Sequence, residues 1–179
     1  MPLYSMNTNM RQVIHRVVDS HYDMGDIVSI EGLAGGYCNL SFLIRVRQTD
    51  RLYSYIMRRY HPNRTAEQIQ FEHSFMHHLR QNNFTLVSDV IKCRDGTTRI
   101  RDIDLENHLP YYWAMFECLP GKDKYTWIEN DLSAPELISA AEVLVQLHDA
   151  AIGFHPALMG YAKQPVITDI LEELYLEVV

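Results

Sequence analysis

Two different spacings of apolar residues occupy the first third of the chain. Between residues 12 and 22, valine and isoleucine recur at helical spacing, which predicts a short amphipathic helix. The next three segments are rich in β-branched and aromatic residues and are separated by glycine or polar turns: 26–33, 38–46 and 52–60. Short connections between such segments predict an antiparallel meander of three strands.

Two capping boxes mark the starts of later helices. Thr65 at an N-cap, with Gln68 three residues later, predicts a helix that continues to about Gln81. Ser133 and Glu136 have the same spacing and open a second helix. Helical apolar spacing also predicts a short helix in the last stretch, 167–179.

Strand character returns between the two capped helices. Three segments there combine aromatic and β-branched residues: 86–93, 97–103 and 111–118. The dipeptide Asp95-Gly96 predicts a turn that joins the first two as a hairpin. The sequence therefore predicts an α+β fold, with an antiparallel sheet of about five strands, one inserted helix and a helical part at the end.

Length and composition narrow the class of protein. With 179 residues, of which 47% are hydrophobic and 22% charged, the chain can form one domain or a lobe with part of a second. This composition excludes a disordered linker. We expect no membrane span and no signal peptide, because no long apolar run occurs. Three widely spaced cysteines predict reduced thiols in a cytoplasmic protein: Cys38, Cys93 and Cys118.

Charge is distributed unevenly along the chain, whose net charge is −7. Residues 1–101 contain 13 Lys and Arg against 9 Asp and Glu, a net charge of +4, whereas residues 102–179 contain 3 against 14, a net charge of −11. The basic half favours a partner that carries phosphate, unless the two halves face and neutralise one another. With four lysines and an acidic total, the chain is not expected to bind nucleic acid.

Arg58 and Glu72 are the strongest candidates for a functional pair. Glu72 lies on the same helical stripe as the apolar residues Ile69, Met76 and Leu79. A carboxylate in that place is costly unless a cation meets it, and the preceding strand offers Arg58 or Arg59. We therefore expect an arginine–glutamate ion pair between the third strand and the inserted helix.

Two weaker candidates flank this pair in sequence. Gly35 and Gly36 lie between two strands, where glycines allow backbone N–H groups to approach phosphate or simply permit a tight turn. The segment 115–121 is a strand that stops at Pro120-Gly121. Free backbone groups at such a strand end can pair with the edge of a flat heterocycle, although an ordinary turn has the same sequence.

Taken in order, these segments resemble the small lobe of a protein-kinase-like phosphotransferase, most closely the aminoglycoside phosphotransferase family with its choline kinase and type II homoserine kinase relatives. The resemblance covers residues 26 to 150 and depends on the segments GLAGGYCNLSFLIRV, YIMRRYHPNRTAEQIQFEHSFMHHL, AMFECLPGKD and AAEVLVQLHDA. It implies a nucleotide-binding lobe at 1–118, a hinge at 119–131 and the start of an incomplete helical lobe at 132–179.

The resemblance also implies roles for individual residues in binding ATP. Gly35, Gly36 and Tyr37 fall in the loop that covers the nucleotide, and Ile56 falls over the adenine. Arg58 falls at the cation that touches the α and β phosphates, where lysine is usual, and Glu72 at the helix glutamate that holds this cation. The hinge, whose backbone binds adenine, includes Met115, Glu117 and Leu119.

The catalytic elements of the family are missing from the sequence. The family's His-Gly-Asp loop, with Asn five residues after the Asp, has only His148-Asp149 as a counterpart, and Phe154 stands where that Asn would be. The later metal-binding Asp is also missing. We therefore expect no catalytic residue and no metal ligand in this chain, with Mg²⁺ bound only in a complete enzyme.

Two functions of different classes follow from these features. The first is the nucleotide-binding part of an ATP-dependent phosphotransferase that acts on a small-molecule hydroxyl acceptor. The second is a non-catalytic binding or dimerisation module derived from the same fold, which forms a homodimer through apolar surface.

Overall fold

A twisted antiparallel sheet with a helix on each face organises the chain. The computed structural model describes residues 8–34, 38–104, 108–121 and 131–155. The elements in chain order are α1 (Thr8–His21), β1 (Asp26–Leu33), β2 (Leu40–Gln48), β3 (Arg51–Arg59), α2 (Ala66–Gln81), β4 (Val90–Ile91), β5 (Ile100–Ile103), β6 (Pro110–Glu117) and α3 (Ala134–Ala151). This order confirms the α+β prediction.

The described strands form a six-stranded sheet in the order β1-β2-β3-β6-β4, with β5 also paired to β6. Every pairing is antiparallel. The first three strands are the predicted meander, because each strand pairs directly with the next one along the chain. β6 then inserts beside β3, which places the strand before the predicted hinge in the middle of the sheet.

The prediction that segments 86–93 and 97–103 pair as a hairpin is wrong. Both β4 and β5 pair with β6, so they lie one after the other along the same edge of that strand. The turn at Gly96 does form, with a φ of +82°. Its residues leave the sheet between the two short strands, and the backbone N–H of Arg94 donates to the carbonyl of His21 at the end of α1. The turn therefore contacts a helix and does not set a strand register.

The two faces of the sheet are covered by different helices. Side chains of directly paired residues point to the same face, so Phe42, Met57 and Met115 share one face. This face packs against Ile14, Val17 and Val18 of α1 and forms the larger hydrophobic cluster. On the opposite face, Ala114 and Phe116 pack with Ile69 of α2 in a second cluster.

The start of α2 is fixed by the capping box that the sequence predicts. The backbone N–H of Gln68 donates to the Thr65 hydroxyl oxygen at 3.2 Å, and the Gln68 side-chain oxygen accepts from the Thr65 N–H at 3.2 Å. The box satisfies two backbone N–H donors that have no partner within the helix. It thereby sets which residues of α2 face β3.

The third helix packs against α2 through one end only. Ala150 of α3 joins Leu79 of α2 and Phe84 in a third hydrophobic cluster. The predicted cap is present, since the Glu136 carboxylate accepts from the Ser133 N–H at 2.9 Å. The helix predicted at 167–179 lies outside the described residues. In the described part of the chain, no helix is long and apolar enough to cross a membrane.

Candidate functional site

Arg58 and Glu72 form the ion pair that the sequence predicts. A guanidinium nitrogen of Arg58 donates to Oε1 of Glu72 at 2.5 Å. Alternation along β3 points Arg58 to the face that α2 covers, and the capping box of α2 sets the turn on which Glu72 lies. The side chains remain 29% and 32% exposed, so the pair lies at the edge of the apolar stripe and is accessible to a ligand.

Two aromatic rings pack against the Arg58 guanidinium. Its central carbon lies 4.7 Å from the ring centroid of Phe116 and 5.7 Å from that of Tyr60. Contact with the negative face of an aromatic ring favours a cation, and the planar guanidinium can stack where an ammonium cannot. The rings and Glu72 together fix the position of one positive charge.

A buried histidine, which the sequence reading missed, supports the aromatic side of this site. His73 is 2% exposed, and its Nε2 lies 3.0 Å from the hydroxyl of Tyr60, while its Nδ1 lies 2.9 Å from the hydroxyl of Thr98. Burial, with the nearby cations of Arg99 and Arg58, lowers the pKa of His73 to about 4. His73 is therefore neutral near pH 7. His73 follows the apolar residue Ile69 by four positions on α2, and this spacing indicates that both side chains lie on the same buried face.

Tyr60 links the histidine to the ion pair. Burial raises the pKa of the Tyr60 hydroxyl well above its usual range, and the Glu72 carboxylate raises it further while Arg58 lowers it. The phenol consequently stays protonated and acts as a neutral hydrogen-bonding group. A neutral tyrosine and a neutral histidine beside Arg58 leave its positive charge compensated chiefly by Glu72.

An apolar strip of the sheet continues from Arg58 toward the first strand. In the strand register Leu43 pairs with Ile56, and Leu33 pairs with Ser41, which itself pairs with Arg58. These side chains share the face of Arg58, and the strip ends at Glu31, which pairs with Leu43 and binds Arg45. Leu33 is exposed and Leu43 and Ile56 are half-buried. A guanidinium beside such a strip suits a ligand with an anionic group joined to a flat apolar group.

The predicted nucleotide-covering loop ends beside β3. Gly35, Gly36 and Tyr37 lie outside the described residues. The end of the loop is anchored, because the side-chain oxygen of Asn39 accepts from the backbone N–H of His61 at 3.0 Å. This bond ties the start of β2 to the chain just after β3, next to Arg58 in the sheet.

The structure separates the three residues predicted in the hinge. Met115 is fully buried and is paired on both sides, with Met57 of β3 and Ile91 of β4, so its side chain packs in the core and is not offered to a ligand. Glu117 ends β6, and its carboxylate binds Arg80 of α2 at 3.1 Å. Leu119 is exposed beyond the strand end.

The neighbouring arginine has a different environment. Arg59 points to the α1 face, where a guanidinium nitrogen lies 3.3 Å from Oδ2 of Asp104 and the central carbon lies 4.1 Å from the Tyr111 ring centroid. It is separated from the apolar strip by the sheet itself. Of the two candidate cations on β3, Arg58 is therefore the one that can serve a ligand on the strip.

The described residues offer neither a metal centre nor a catalytic loop. No three His, Cys, Asp or Glu side chains gather among them in a way that could hold a metal ion. His148 and Asp149 lie in the last turns of α3, and the carbonyl of Asp149 accepts from the N–H of Ile152. As expected, this dipeptide ends a helix and does not begin a loop.

Comparison with known proteins identifies the class of protein. Residues 29–164 match the model of the phosphotransferase enzyme family, and the chain belongs to that family. A search of curated proteins found no match.

Two solved structures share the fold. The microcompartment-associated aminopropanol kinase has a TM-score of 0.58 and 19% identity, over 77% of this chain and 40% of its own. The amicoumacin kinase hAmiN, solved in complex with AMP-PNP, Ca²⁺ and Ami, has a TM-score of 0.52 and 17% identity, over 69% of this chain and 36% of its own. The chain thus spans less than half the length of either structure.

Proposed function

We propose that residues 1–118 form the nucleotide-binding lobe of an ATP-dependent phosphotransferase that acts on a hydroxyl group of a small molecule. Residues 119–131 serve as the hinge, and residues 132–179 begin the helical lobe. The proposal assigns nucleotide binding to this chain. It assigns no catalytic step, because the 179 residues contain no His-Gly-Asp loop with its downstream Asn.

The observation that carries the proposal is the Arg58–Glu72 pair beside the partly exposed apolar strip of the sheet. ATP combines a flat heterocycle with a chain of phosphates, and phosphate is the anion that a guanidinium binds in a bidentate manner. Membership in the phosphotransferase family supports the same ligand class. The hAmiN structure holds AMP-PNP, an ATP analogue, on the same fold.

In the proposed complex each residue has a separate task. Arg58 neutralises charge on the α and β phosphates, and Glu72 keeps the guanidinium pointed at them. Ile56 lies under the adenine, and the backbone at Leu119 pairs with its edge, since the N–H of Glu117 already donates to the carbonyl of Asp89. Gly35, Gly36 and Tyr37 cover the phosphates. Mg²⁺, when bound in a complete site, supplies charge neutralisation at the phosphates.

Calorimetric titration with ATP tests the proposal. We expect weak binding to the wild-type chain and a loss of at least about tenfold in affinity for Arg58→Ala, since one charge-assisted contact to phosphate is removed. Arg16→Ala is the matched control. It also removes a guanidinium from an ion pair, that with Asp102 at 2.6 Å, but on α1 and away from the strip.

Equal affinities of wild type and Arg58→Ala, or no heat with either, would refute the proposed site. A loss of the same size in Arg16→Ala would show that net charge, and not the site, governs binding. Both variants must first give a folded circular dichroism spectrum. Addition of a small alcohol acceptor with MgATP should give no phosphorylated product from this chain.

A non-catalytic module that dimerises is the second candidate function. It is favoured by apolar side chains on α3 that are half exposed or more: Leu137, Ile138, Leu144 and Val145. Exposed apolar patches of this kind mark interaction sites. Multi-angle light scattering distinguishes the two candidates, because a stable dimer that ignores ATP favours assembly and a monomer that binds ATP favours the first proposal.

A further inference from the structure

Phe154, the residue that replaces the catalytic Asn of the family pattern, packs against α2. Its ring centroid lies 5.5 Å from that of Phe71, 4.9 Å from that of Phe75 and 5.3 Å from that of His78. Phe71 and Phe75 also stack on each other, with centroids 6.5 Å apart. We call these four side chains the aromatic latch. It joins the segment after α3 to the middle of α2.

The latch brackets the residue that orients Arg58. Phe71 immediately precedes Glu72, and Phe75 follows it by three residues, which is one helical turn. A ring that packs on both therefore fixes the rotation and the height of the turn that carries Glu72.

Backbone contacts hold Phe154 in place. Gly153 adopts a φ of +82°, which turns the chain sharply after α3. The backbone N–H of Phe154 donates to the carbonyl of Ala151 at 3.1 Å, and Nε2 of His78 lies 3.2 Å from the carbonyl of Ile152. The segment after α3 is thus tied to both helices.

The Arg58–Glu72 contact depends on the position of α2 along the sheet. Arg58 and Glu72 are in contact at 2.5 Å, while a slip of α2 by one helical turn would move Glu72 by about 5.4 Å. Such a slip separates the charges and lets the guanidinium turn away. The sheet side of α2 is held by Tyr60 and His73. The latch and the cluster of Leu79, Phe84 and Ala150 contact α2 on the side of the helical part.

We propose that Phe154 is a positioning residue for nucleotide binding, which acts through Glu72 on Arg58 and so couples the end of α3 to the phosphate-binding cation. The proposal rests on the proposed function of the Arg58–Glu72 pair. When the latch is closed, Glu72 contacts Arg58. When it opens, the fraction of molecules with a correctly oriented Arg58 falls, and the apparent Kd for ATP rises in proportion.

The test compares Phe154→Ala with Phe84→Ala by titration with ATP. Phe84 is the matched control, because it is a buried phenylalanine in the cluster between α2 and α3, against which Phe75 packs but Phe154 does not. Both variants should lower the melting temperature. We expect Phe154→Ala to raise the Kd for ATP about fivefold and Phe84→Ala less than twofold. Titrations are run where both are folded, and Phe154→Leu replaces Phe154→Ala if the latter does not fold.

A double-mutant cycle separates positioning from general stability. In a Glu72→Gln background, where the carboxylate no longer orients Arg58, Phe154→Ala should change the Kd less than twofold, while its effect on melting temperature persists. Hydrogen exchange supplies a readout without nucleotide, since amides around Glu72 should lose more protection in Phe154→Ala than in Phe84→Ala.

Two results would overturn the inference. One is wild-type affinity in Phe154→Ala together with a clear loss in Arg58→Ala. The other is an equal loss in Phe154→Ala and Phe84→Ala. Failure of the proposed function looks different, because then the wild-type chain itself does not bind ATP, or Arg58→Ala binds as well as the wild type.

Discussion

At the residue scale, the shape of the Arg58 side chain matters as much as its charge. The guanidinium contacts Glu72 at 2.5 Å and lies 4.7 Å above Phe116. A lysine ammonium can keep the first contact, but it cannot stack its plane on the ring or present a fork to phosphate. The arginine at this position is therefore not equivalent to the lysine that is usual in the family.

We predict that Arg58→Lys destabilises the fold slightly and weakens nucleotide binding more. Loss of stacking should cost about 1 kcal/mol in the free energy of unfolding, measured by urea denaturation. The affinity for ATP, measured by titration, should fall between those of wild type and Arg58→Ala. Affinity equal to that of the wild type would mean that only the charge of residue 58 is used.

His73 gives the fold a pH dependence of known sign. Its pKa is about 4 in the folded protein because of burial, against 6.5 for an unperturbed histidine. Between these values the unfolded chain binds a proton that the folded chain excludes, so the free energy of unfolding rises with pH. The stabilisation is complete above pH 6.5 and is lost as the pH falls toward 4, by up to about 3 kcal/mol.

We predict that His73→Gln flattens this part of the stability profile. The amide can still bond to Tyr60 but cannot be protonated, so the variant should lose less stability than the wild type between pH 6.5 and 4. Urea denaturation across this range provides the measurement. His77→Gln is the control, since it alters a more exposed histidine one turn later on α2 and should keep the wild-type slope.

At the scale of elements, local signals predicted α2 well and failed for β4 and β5. The limits of α2 follow from the capping box at Thr65 and from apolar spacing, both of which depend on neighbours in sequence. β4 and β5 do not pair with each other, because both pair with β6. Composition and turn residues cannot reveal such competition by a distant strand.

Some contacts of the candidate site were likewise predictable from the sequence, and others were not. A contact between Glu72 and an arginine of β3 was predictable from helical spacing, whereas the choice of Arg58 over Arg59 came from the family resemblance. The burial of Met115 was not, since it depends on insertion of β6 between β3 and β4. His73 and Phe154 were also missed as contacts, because their partners are brought near by packing of separate elements.

Gly25 offers a test of how tightly β1 meets β2. A Cβ at Gly25 would lie 1.9 Å from the carbonyl oxygen of Arg47, so the two backbones touch where the strands begin to pair. We predict that Gly25→Ala destabilises the protein by at least about 2 kcal/mol, since backbone must move to make room. Urea denaturation measures this loss.

Gly121→Ala is the control for this prediction, because a Cβ there meets no atom within 4 Å. Its free energy of unfolding should stay within about 0.5 kcal/mol of the wild type. If the two variants were equally stable, the close approach at Gly25 would be absent in solution.

At the scale of the whole molecule, ion pairs connect the basic and acidic parts of the chain. Three pairs among the described residues join an arginine before residue 101 to an acid after it: Arg16–Asp102, Arg59–Asp104 and Arg80–Glu117. Each links separate elements. Part of the charge asymmetry along the sequence is thus neutralised within the fold, as one interpretation of the sequence expected, and the positive charge of the first half need not all serve a ligand.

The contribution of each ion pair to the free energy of unfolding should depend on how deeply the pair is buried. Asp104 and Asp102 are each 20% exposed, but Arg59 is 16% exposed and stacks on Tyr111, whereas Arg16 is 46% exposed. Asp104→Asn should therefore cost about 1–2 kcal/mol, because it leaves a partly buried guanidinium without its counter-charge. Asp102→Asn should cost less than about 0.5 kcal/mol, as is usual for exposed pairs.

The effects of Asp102→Asn and Asp104→Asn should also differ in their dependence on salt. Raising NaCl from 0.05 to about 0.5 M shortens the screening length to a few ångströms, so the small effect of Asp102→Asn should vanish while most of the effect of Asp104→Asn remains. Urea denaturation of wild type and both variants at the two salt concentrations checks this. Equal costs at both positions would mean that long-range charge balance, and not local burial, stabilises the contact between the two parts of the chain.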